Sequence, residues 1–356
     1  MDKDIWKPDF ERLKAVLNGQ MPDRIPNFEI LIEPRNVTAI LGRDVGNTMA
    51  ASRGAGDSFI SQPIDPKDYM ELCEVIGQDA VALETIWAPC KFKDEKGNLH
   101  LISAAHVDTW EKFENIIWPD WEHDYGPKLE HVKWYLDAVK DSPIGLVVMG
   151  GAFFQYCYQF LNGFDEFCLL FYEDRELVET CLDKVTDYYV KMTELMVEAG
   201  IDCYYFCDDV AYKSGSFVNP EMFREIWLPR ARRIIAPARQ AGIPVMFHSC
   251  GNVTRLIPIF IELGIDCLNP IEPYSMDIRQ IKKEYGKQFA ISGNVDIAGP
   301  LAFGTPDEAY EDCKQLLIDM KPGGNYIFTS CHSITDDIPP ENYAAMRKAH
   351  RDFGVY

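Results

Sequence analysis

Short runs of apolar and β-branched residues recur along the chain, separated mostly by segments with apolar residues at three- and four-residue spacing. The runs begin near Ile25, Asp79, Ile144, Ile201, Ile243, Ile265, Gln288 and Asn325. Runs of this length predict buried strands, and the longer spaced segments predict helices. Strands that alternate with helices are typical of a parallel sheet. Eight such units favour a closed (β/α)8 barrel, a TIM barrel, over an open doubly wound sheet, which is the alternative.

Two segments lie outside the repeating units. Residues 1–24 predict a helical extension at the start of the chain. Residues 90–125 predict an insertion after the second strand, because a turn around Gly97 between two alternating segments is typical of a hairpin. The sequence contains no linker, low-complexity stretch or internal repeat. We therefore expect residues 1–356 to form a single barrel domain.

The charge balance and the cysteine content narrow the class of protein. The chain has 35 basic and 56 acidic residues, a net charge of −21, which argues against a nucleic-acid partner because phosphate binding needs a basic surface. No apolar run is long enough to span a membrane, and the first residues lack the apolar core of a signal peptide. We therefore expect a cytoplasmic protein without a membrane partner. Its 11 cysteines are expected to be free thiols, metal ligands or core residues.

The ends of the predicted strands carry most of the candidate chemistry, because catalytic residues of such barrels follow the strands on one face. The fifth strand ends in a His-Ser-Cys-Gly sequence. In an extended chain His248 and Cys250 point the same way, and imidazole and thiolate are preferred zinc ligands. Cys331, after the eighth strand, is the expected third ligand, and His332 is the alternative. Three protein ligands would leave a coordination position open, as in catalytic zinc sites.

Other strand-end side chains are candidates for proton transfer or for substrate contacts. The adjacent carboxylates Asp208 and Asp209 can raise one another's pKa and act as acid or base, although capping of a turn is the structural alternative. Glu84 is a further candidate catalytic carboxylate. The expected substrate contacts are Glu29, Phe153, Phe154, Asn269 and Asn294. The two phenylalanines belong to an aromatic stretch that lines either the core or a pocket for a flat apolar substrate.

Six stretches resemble the uroporphyrinogen decarboxylase superfamily, and specifically its cobalamin-dependent methyltransferase branch. They are DRIPNFE, CDDVAYKSGSFVNPEMFREIWLPRARRI, PVMFHSCGNVTRLIP, GIDCLNPIEP, ISGNVDIAGPLAFGTPDEA and GGNYIFTSCHSITDDIPPENYAAM. They follow the family order over nearly the whole chain. The resemblance implies the barrel fold and a zinc motif of the type His-x-Cys…Cys, which His248, Cys250 and Cys331 match. The Cys-His-Ser-Ile sequence at the third ligand is similar to that of methyltransferases that demethylate methoxylated aromatics.

The resemblance also implies an activity and a partner. The expected enzyme is a zinc-dependent methyltransferase that moves a methyl group from an O-methyl donor, an aryl methyl ether, to cob(I)amide, like the first methyltransferase of O-demethylase systems. The chain lacks the Asp-x-His-x-x-Gly motif of cobalamin proteins, so the corrinoid should arrive on a separate corrinoid protein that docks at the barrel mouth. The alternatives are transfer from a methylcorrinoid to a thiol of the coenzyme M type, a metal-free lyase of the decarboxylase kind, and a barrel that binds without turnover.

Overall fold

A parallel sheet of eight strands organises the chain in a computed structural model, which describes residues 4–48, 50–51, 64–104 and 106–356. The strands within the described ranges are β1 Ala50–Ala51, β2 Ala80–Glu84, β3 Lys91–Lys93, β4 Leu99–Leu101, β5 Gly145–Gly150, β6 Cys203–Cys207, β7 Ala211–Tyr212, β8 Gly215–Ser216, β9 Val245–His248, β10 Cys267–Asn269, β11 Ala290–Ser292 and β12 Tyr326–Ile327. The order of the large sheet is β1-β2-β5-β6-β9-β10-β11-β12, with two small hairpins outside it.

Helices connect the strands of the large sheet and cover its outer side. Within the described ranges they are α1 Phe10–Leu17, α2 Pro34–Leu41, α3 Pro66–Ile76, α4 Trp110–Glu114, α5 Gly126–Val139, α6 Phe153–Tyr156, α7 Phe164–Glu173, α8 Arg175–Ala199, α9 Pro220–Gln240, α10 Ile257–Leu263, α11 Ile278–Tyr285, α12 Pro300–Phe303, α13 Pro306–Met320 and α14 Pro340–Phe353. Shorter helical turns span Trp121–Tyr125, Cys157–Leu161 and Thr254–Leu256. None of the helices in these ranges has both the length and the apolar composition needed to cross a membrane.

Residues 25–32, the first predicted strand, occupy the expected place but do not form a regular ladder. Phe328, just after β12, donates its N–H to Pro26 O at 2.9 Å, and Asp79, just before β2, donates its N–H to Asn27 O at 3.2 Å. The segment therefore lies between the residues that follow β12 and those that precede β2, and it closes the ring. Pro26 has no N–H, and the N–H of Asn27 goes to the carboxylate of Asp79 at 3.3 Å. Backbone donors needed for a continuous strand are thus missing or used elsewhere.

The N-terminal end of the barrel is closed by α1. The apolar side chains Phe10, Leu13, Val16 and Leu17 pack in one buried cluster with the side chains that fill the barrel interior. Phe10 lies so close to Gly145 that a Cβ atom there would come within 2.3 Å of its ring. The predicted helical extension is therefore confirmed, and it covers this end of the barrel interior.

The predicted hairpin insertion after β2 is also confirmed. β3 pairs with β4 in the antiparallel direction, and Gly97 turns the chain with a φ of 81° that glycine adopts without strain. The carboxylate of Asp94 accepts the N–H groups of Lys96 and Asn98 at 2.9 and 2.8 Å. The side chain of Asp94 therefore stabilises the turn.

The register of the large sheet brings three strand ends to one level. Cys207 at the end of β6 pairs with His248 at the end of β9, and His248 pairs with Asn269 at the end of β10. In parallel strands these carboxyl ends share one edge, so residues that follow them in the sequence are gathered at one mouth. This mouth is where the candidate site lies.

Candidate active site

A cavity of about 200 Å³ opens at the carboxyl end of the strands. The apolar residues of its lining are Ile30, Leu31, Ala82, Ile86, Trp87 and Met149. The others are Thr48, Glu84, Gln155, Cys207, Asp209, His248, His332 and Ser333. An apolar cavity with a few convergent polar groups is the usual form of a small-molecule site.

Three candidate metal ligands converge at this cavity, and two of them, His248 and His332, line it. One candidate ligand atom from each of His248, Cys250 and His332 lies within 4.8 Å of the other two. The Sγ of Cys250 is 3.6 Å from the Nε2 of His248. His248 is buried, Cys250 is half-buried and His332 is exposed, so the cluster faces the mouth of the barrel. Two imidazoles and one thiolate suit zinc and leave one tetrahedral position free.

Neighbouring side chains orient both imidazoles. The Nδ1 of His248 lies 2.9 Å from the Oδ1 of Asn269, whose Nδ2 donates to the hydroxyl of Ser292 at 2.9 Å. An amide oxygen only accepts, so Nδ1 carries the proton and Nε2 presents its lone pair to the cluster. The Nδ1 of His332 lies 2.8 Å from the Oγ of Ser333, which leaves its Nε2 free. Asn269, predicted to contact the substrate, thus lies against a candidate metal ligand.

The backbone around Cys250 is held by two carboxylates. Asp209 accepts the N–H of Cys250 at 2.8 Å, and Glu272 accepts the N–H of Gly251 at 3.0 Å. Gly251 has a φ of 86°, and a Cβ there would come within 2.5 Å of the carbonyl oxygen of Ala211. Burial, followed by these two carboxylates, raises the pKa of the Cys250 thiol. A bound cation would favour the thiolate at this position.

Cys331, the predicted third ligand, lies beside this cluster rather than in it. Its thiol is buried, its N–H donates to Val295 O at 2.9 Å, and the backbone N–H of Ile297 lies near its sulfur. The group within 4.8 Å contains His332 in its place. The cysteine thus faces the loop after β11, whereas the next residue turns toward the cavity.

Glu84 faces the cavity at the end of β2 with a raised pKa. Burial raises the pKa of its carboxyl to about 7, against the opposing charge of Lys128. The ammonium of Lys128 is itself buried and donates to Trp87 O at 2.9 Å and to the hydroxyl of Tyr188 at 2.6 Å. A carboxyl that holds a proton near neutral pH and lines a cavity suits a general acid.

The two adjacent aspartates after β6 have different surroundings. Asp208 points into the wall, where it accepts the N–H of Gln155 at 2.8 Å and the indole N–H of Trp227 at 2.7 Å. Asp209 lines the cavity, and its second oxygen accepts the side-chain N–H of Gln155 at 3.3 Å. Asp209 Oδ1 is also 3.9 Å from the Nε2 of His248. Of these two aspartates, Asp209 is the one that lines the cavity.

Four predicted substrate contacts lie away from the lining of the cavity. Phe153 packs against the rings of Phe206 and Trp227. Phe154 packs against Phe167 with ring centroids 5.1 Å apart. Glu29 is buried and accepts hydrogen bonds from Thr329 and Ser330. Asn294 adopts a φ of 79° and donates its side-chain N–H to Ile271 O.

Trp87 and Gln155 line the cavity and were not among the predicted site residues. Trp87 follows β2 by three positions, so the rule that strand ends carry the site could have included it. Gln155 is one of two glutamines in the aromatic stretch, and burial of an amide in a packed core is unfavourable unless the amide is hydrogen-bonded. The apolar residues Ile30 and Leu31 gave no such signal, because nothing in their sequence distinguishes a lining residue from a core residue.

The fold and the cluster define a (β/α)8 barrel with a candidate metal centre at the carboxyl ends of its strands. The family model described as uroporphyrinogen decarboxylase (URO-D) matches residues 83–353. The chain belongs to this family, as its sequence motifs predict.

Relatives within this family have two kinds of name. A methylated-thiol–coenzyme M methyltransferase from Methanosarcina mazei is 24% identical, with 97% of this chain and 89% of that protein covered. A methylcobamide:CoM methyltransferase, MtbA, from Methanosarcina acetivorans is 28% identical over 45% of each chain. A uroporphyrinogen decarboxylase from Methylococcus capsulatus is 26% identical, with 52% of this chain and 51% of that protein covered.

A solved structure shares the whole fold. A methyltransferase from Methanosarcina mazei superposes with a TM-score of 0.71 at 19% identity, covering 98% of this chain and 99% of that one. This likeness confirms the predicted barrel. Together with the named relatives, it confirms the resemblance to the methyltransferase branch, and the expectation of an enzyme that transfers a methyl group agrees with those names.

Proposed function

We propose that this protein is a methyltransferase that moves a methyl group from an O-methyl donor, an aryl methyl ether, to the cob(I)amide of a separate corrinoid protein. The observation that carries the proposal is the cluster of His248, Cys250 and His332, which opens on the same cavity as the carboxyl of Glu84. A metal ligand set and an acid that line one cavity suit the cleavage of a methyl–oxygen bond.

The residues present fit a zinc ion. Asn269 leaves the Nε2 of His248 free, Cys250 supplies a thiol 3.6 Å away, and His332 completes a set that faces the cavity. A zinc ion held by these residues would supply a Lewis acid for the ether oxygen and for the phenolate that leaves. Orientation of the ligands is the contribution of the chain itself, through Asn269 and Ser333.

The remaining lining residues offer contacts to the ring, the methyl group and the oxygen of the donor. The apolar side chains of Trp87 and Met149 offer contacts to an aromatic ring and a methyl group. The methyl carbon forms a bond to the reduced corrinoid while its bond to the ether oxygen breaks. The electron pair of the broken bond stays on the oxygen. Glu84, with a pKa of about 7, can then donate the proton that converts phenolate to phenol.

The corrinoid must approach from the open mouth, because α1 closes the other end of the barrel. Two exposed aromatic side chains, Tyr212 and Tyr274, flank the loop that carries Cys250. Tyr212 O accepts the N–H of Asn252 at 2.7 Å, and the ammonium of Lys213 lies 5.6 Å from the ring of Tyr274. The rim of the mouth thus carries aromatic surface next to the candidate metal ligands.

The test is methyl transfer to cob(I)alamin, used at high concentration in place of the partner's corrinoid. The zinc-loaded protein is incubated without oxygen with a panel of methoxyarenes, and the spectrum is followed. We expect conversion to methylcobalamin and release of one phenol per methyl group, both lost in His248→Ala and retained in Cys168→Ser. No methylcobalamin with any ether would overturn the proposed donor.

A second candidate, transfer from a methylcorrinoid to a thiol, is favoured by the name of the methylated-thiol–coenzyme M methyltransferase that aligns over 97% of this chain. The same assay separates the two directions when it starts from methylcobalamin and a panel of thiols. Formation of a thioether at a higher rate than ether demethylation would replace the first proposal with this one.

A further inference from the structure

Lys128 is a buried cation next to the cavity, and its hydrogen bonds go to neutral oxygens. Its ammonium, on α5, donates to Trp87 O at 2.9 Å and to the hydroxyl of Tyr188 at 2.6 Å. The residue is 1% exposed. Removing a charge from water is costly unless an opposite charge compensates it. A buried ammonium of this kind therefore indicates a negative charge in its surroundings.

Glu84 is the carboxyl on which this charge acts at the cavity. It lines the cavity, and Trp87, whose carbonyl oxygen accepts from Lys128, follows it by three positions. Among the residues that the structure describes, none donates a hydrogen bond to the carboxyl of Glu84. The carboxyl of Glu29, by contrast, is bonded to the hydroxyl of Ser330 at 2.6 Å. The oxygens of Glu84 are therefore available to a ligand.

We propose that Lys128 is a positioning residue for the acid of this site: its ammonium stabilises the carboxylate that Glu84 becomes when it donates its proton. This inference rests on the proposed function, because Glu84 is the acid assigned there to the leaving oxygen. In this step the O–H bond of Glu84 breaks and the proton joins the phenolate. The carboxylate that remains faces the buried ammonium, and a proton from solvent then restores the acid.

The charge of Lys128 persists because a second carboxylate faces it. Burial lowers the pKa of Lys128 to about 8, and the charges of Asp124 and Glu84 oppose this effect. Asp124 is itself buried and is paired with Lys91 at 2.6 Å. Lys128 is therefore an ammonium near neutral pH, and the charge of Asp124 is shared with Lys91.

The other titratable groups close to the two side chains are neutral near neutral pH. Burial raises the pKa of the Cys207 thiol beside Glu84, and it raises the pKa of the Cys90 thiol and of the Tyr188 hydroxyl beside Lys128. The remaining titratable residues that line the cavity are Asp209, His248 and His332. The charge that opposes the effect of burial on Glu84 is that of Lys128.

Carbon-13 NMR of the glutamate carboxyl groups in the whole protein, with and without one equivalent of zinc, tests the inference. The signal of Glu84 is assigned by its loss in Glu84→Gln. Lys128→Met should raise the titration midpoint of Glu84 by at least about 1 pH unit, the lower end of the effect of a nearby opposite charge. The control is Lys282→Met, which removes an ammonium that donates to Gly324 O at 2.9 Å and should leave the midpoint unchanged.

The titration of Lys128 gives a second reading that does not require Lys128→Met to fold. Coupling between two groups is reciprocal, so Glu84→Gln should lower the midpoint of Lys128 by a similar amount. Lys128 and Lys282 both have a pKa of about 8, and Lys282→Met removes one of these two signals from lysine-labelled protein. Equal midpoints of Lys128 in the wild type and in Glu84→Gln would overturn the inference.

Both readings are made without turnover, so they separate this inference from the proposed function. Coupled midpoints in a protein that demethylates no ether would reject the function and keep the coupling. An active methyltransferase in which neither midpoint moves would do the reverse. In the active protein, the fall of the rate at high pH should move to higher pH in Lys128→Met and not in Lys282→Met. A fall that stays in place would also overturn the inference.

Discussion

Asn269 shows how one polar side chain can decide the chemistry of another. Its oxygen lies 2.9 Å from the Nδ1 of His248, and its amide is held in turn by Ser292. With this acceptor in place the Nε2 lone pair faces Cys250. Without it the ring can rotate or protonate the nitrogen that a metal needs.

The first prediction concerns this contact. Asn269→Ala should lower zinc affinity by about 10- to 100-fold, the range expected for loss of an outer-shell partner. Asn269→Asp keeps an acceptor and should lose less. Competition with a chromophoric chelator measures both. Equal affinities for the wild type and the alanine variant would show that Asn269 does not position the ring.

Glu29 carries the second prediction, a dependence of stability on pH. Burial raises the pKa of its carboxyl to about 7, although the hydroxyl of Ser330 donates to it at 2.6 Å. The folded state therefore binds a proton at pH values at which the unfolded chain, with a pKa near 4.5, has released it. The contribution of Glu29 to stability is complete below the unfolded pKa and is lost as the pH rises through about 7, a loss of about 3 kcal/mol.

Glu29→Gln should remove this part of the pH profile. Chemical denaturation at pH 5 and at pH 8 gives the comparison, and the difference between the two should be smaller for the variant than for the wild type. An unchanged difference would show that Glu29 titrates near its ordinary pKa in the folded protein.

The sequence identified the candidate residues better than their roles. His248 and Cys250 were predicted together because extended chain places alternate side chains on one side, and this geometry is local. Glu29 was predicted to contact substrate, but its partners Thr329 and Ser330 lie about three hundred positions away in the chain. Contacts of that separation depend on barrel closure and cannot be read from the local pattern.

At the scale of single elements, two adjacent carboxylates after β6 have different surroundings, although the sequence pattern does not distinguish them. Asp208 and Asp209 are adjacent, so their side chains point to opposite sides of the extended chain. Asp208 anchors the wall through Gln155 and Trp227, whereas Asp209 lines the cavity. We therefore expect Asp208 to contribute to stability and Asp209 to contribute to the site.

The third prediction follows from this division. Asp208→Ala leaves two buried N–H groups, of Gln155 and Trp227, without an acceptor and should destabilise the fold by about 2–4 kcal/mol. Asp209→Ala should cost less stability and should reduce methyl transfer, because the N–H of Cys250 loses its acceptor. Thermal unfolding and methyl-transfer rates of the two variants test this, and the reverse ranking would contradict it.

The first predicted strand shows what an apolar pattern leaves open. Its position between the two edges of the sheet was predicted, because barrel closure requires an element there. Its hydrogen bonds were not predicted, because the backbone N–H of Asn27 donates to the side chain of Asp79 and not to a backbone oxygen. In addition β1, which pairs with Leu83 and Glu84 of β2, has only two residues and no apolar run that could indicate it.

At the scale of the whole molecule, the two ends of the barrel carry different groups of side chains. The closed end carries a buried ion pair between Arg24 and Asp79, with bonds of 2.8 and 3.1 Å. The open end carries the candidate metal ligands, the cavity and the aromatic rim. Barrels of this kind commonly separate stability from chemistry in this way.

The fourth prediction tests that separation. Asp79→Ala leaves a buried guanidinium without its partner and should cost about 3–5 kcal/mol of unfolding free energy, while the folded protein still binds zinc. The matched control is Asp68→Ala, which removes an exposed partner of Arg43 and should cost less than about 1 kcal/mol. A loss of zinc binding in folded Asp79→Ala would show that the two ends are coupled.

The fifth prediction concerns the rim of the mouth. Tyr212→Ala and Tyr274→Ala should raise the KM for a corrinoid protein without changing zinc affinity, because both rings are exposed beside the loop of Cys250. Tyr172→Ala, which removes an exposed ring on α7, is the control. An unchanged KM in both rim variants would place the docking surface elsewhere.

We expect methyl transfer to depend on a metal held at the carboxyl ends of the strands. The most direct measurement is the rate of methylcobalamin formation from a methoxyarene as zinc is returned in steps to chelator-treated protein. The account predicts no activity without zinc and a linear recovery that saturates at one zinc per chain, with no recovery in Cys250→Ser. Full activity in metal-free, reduced protein would contradict it.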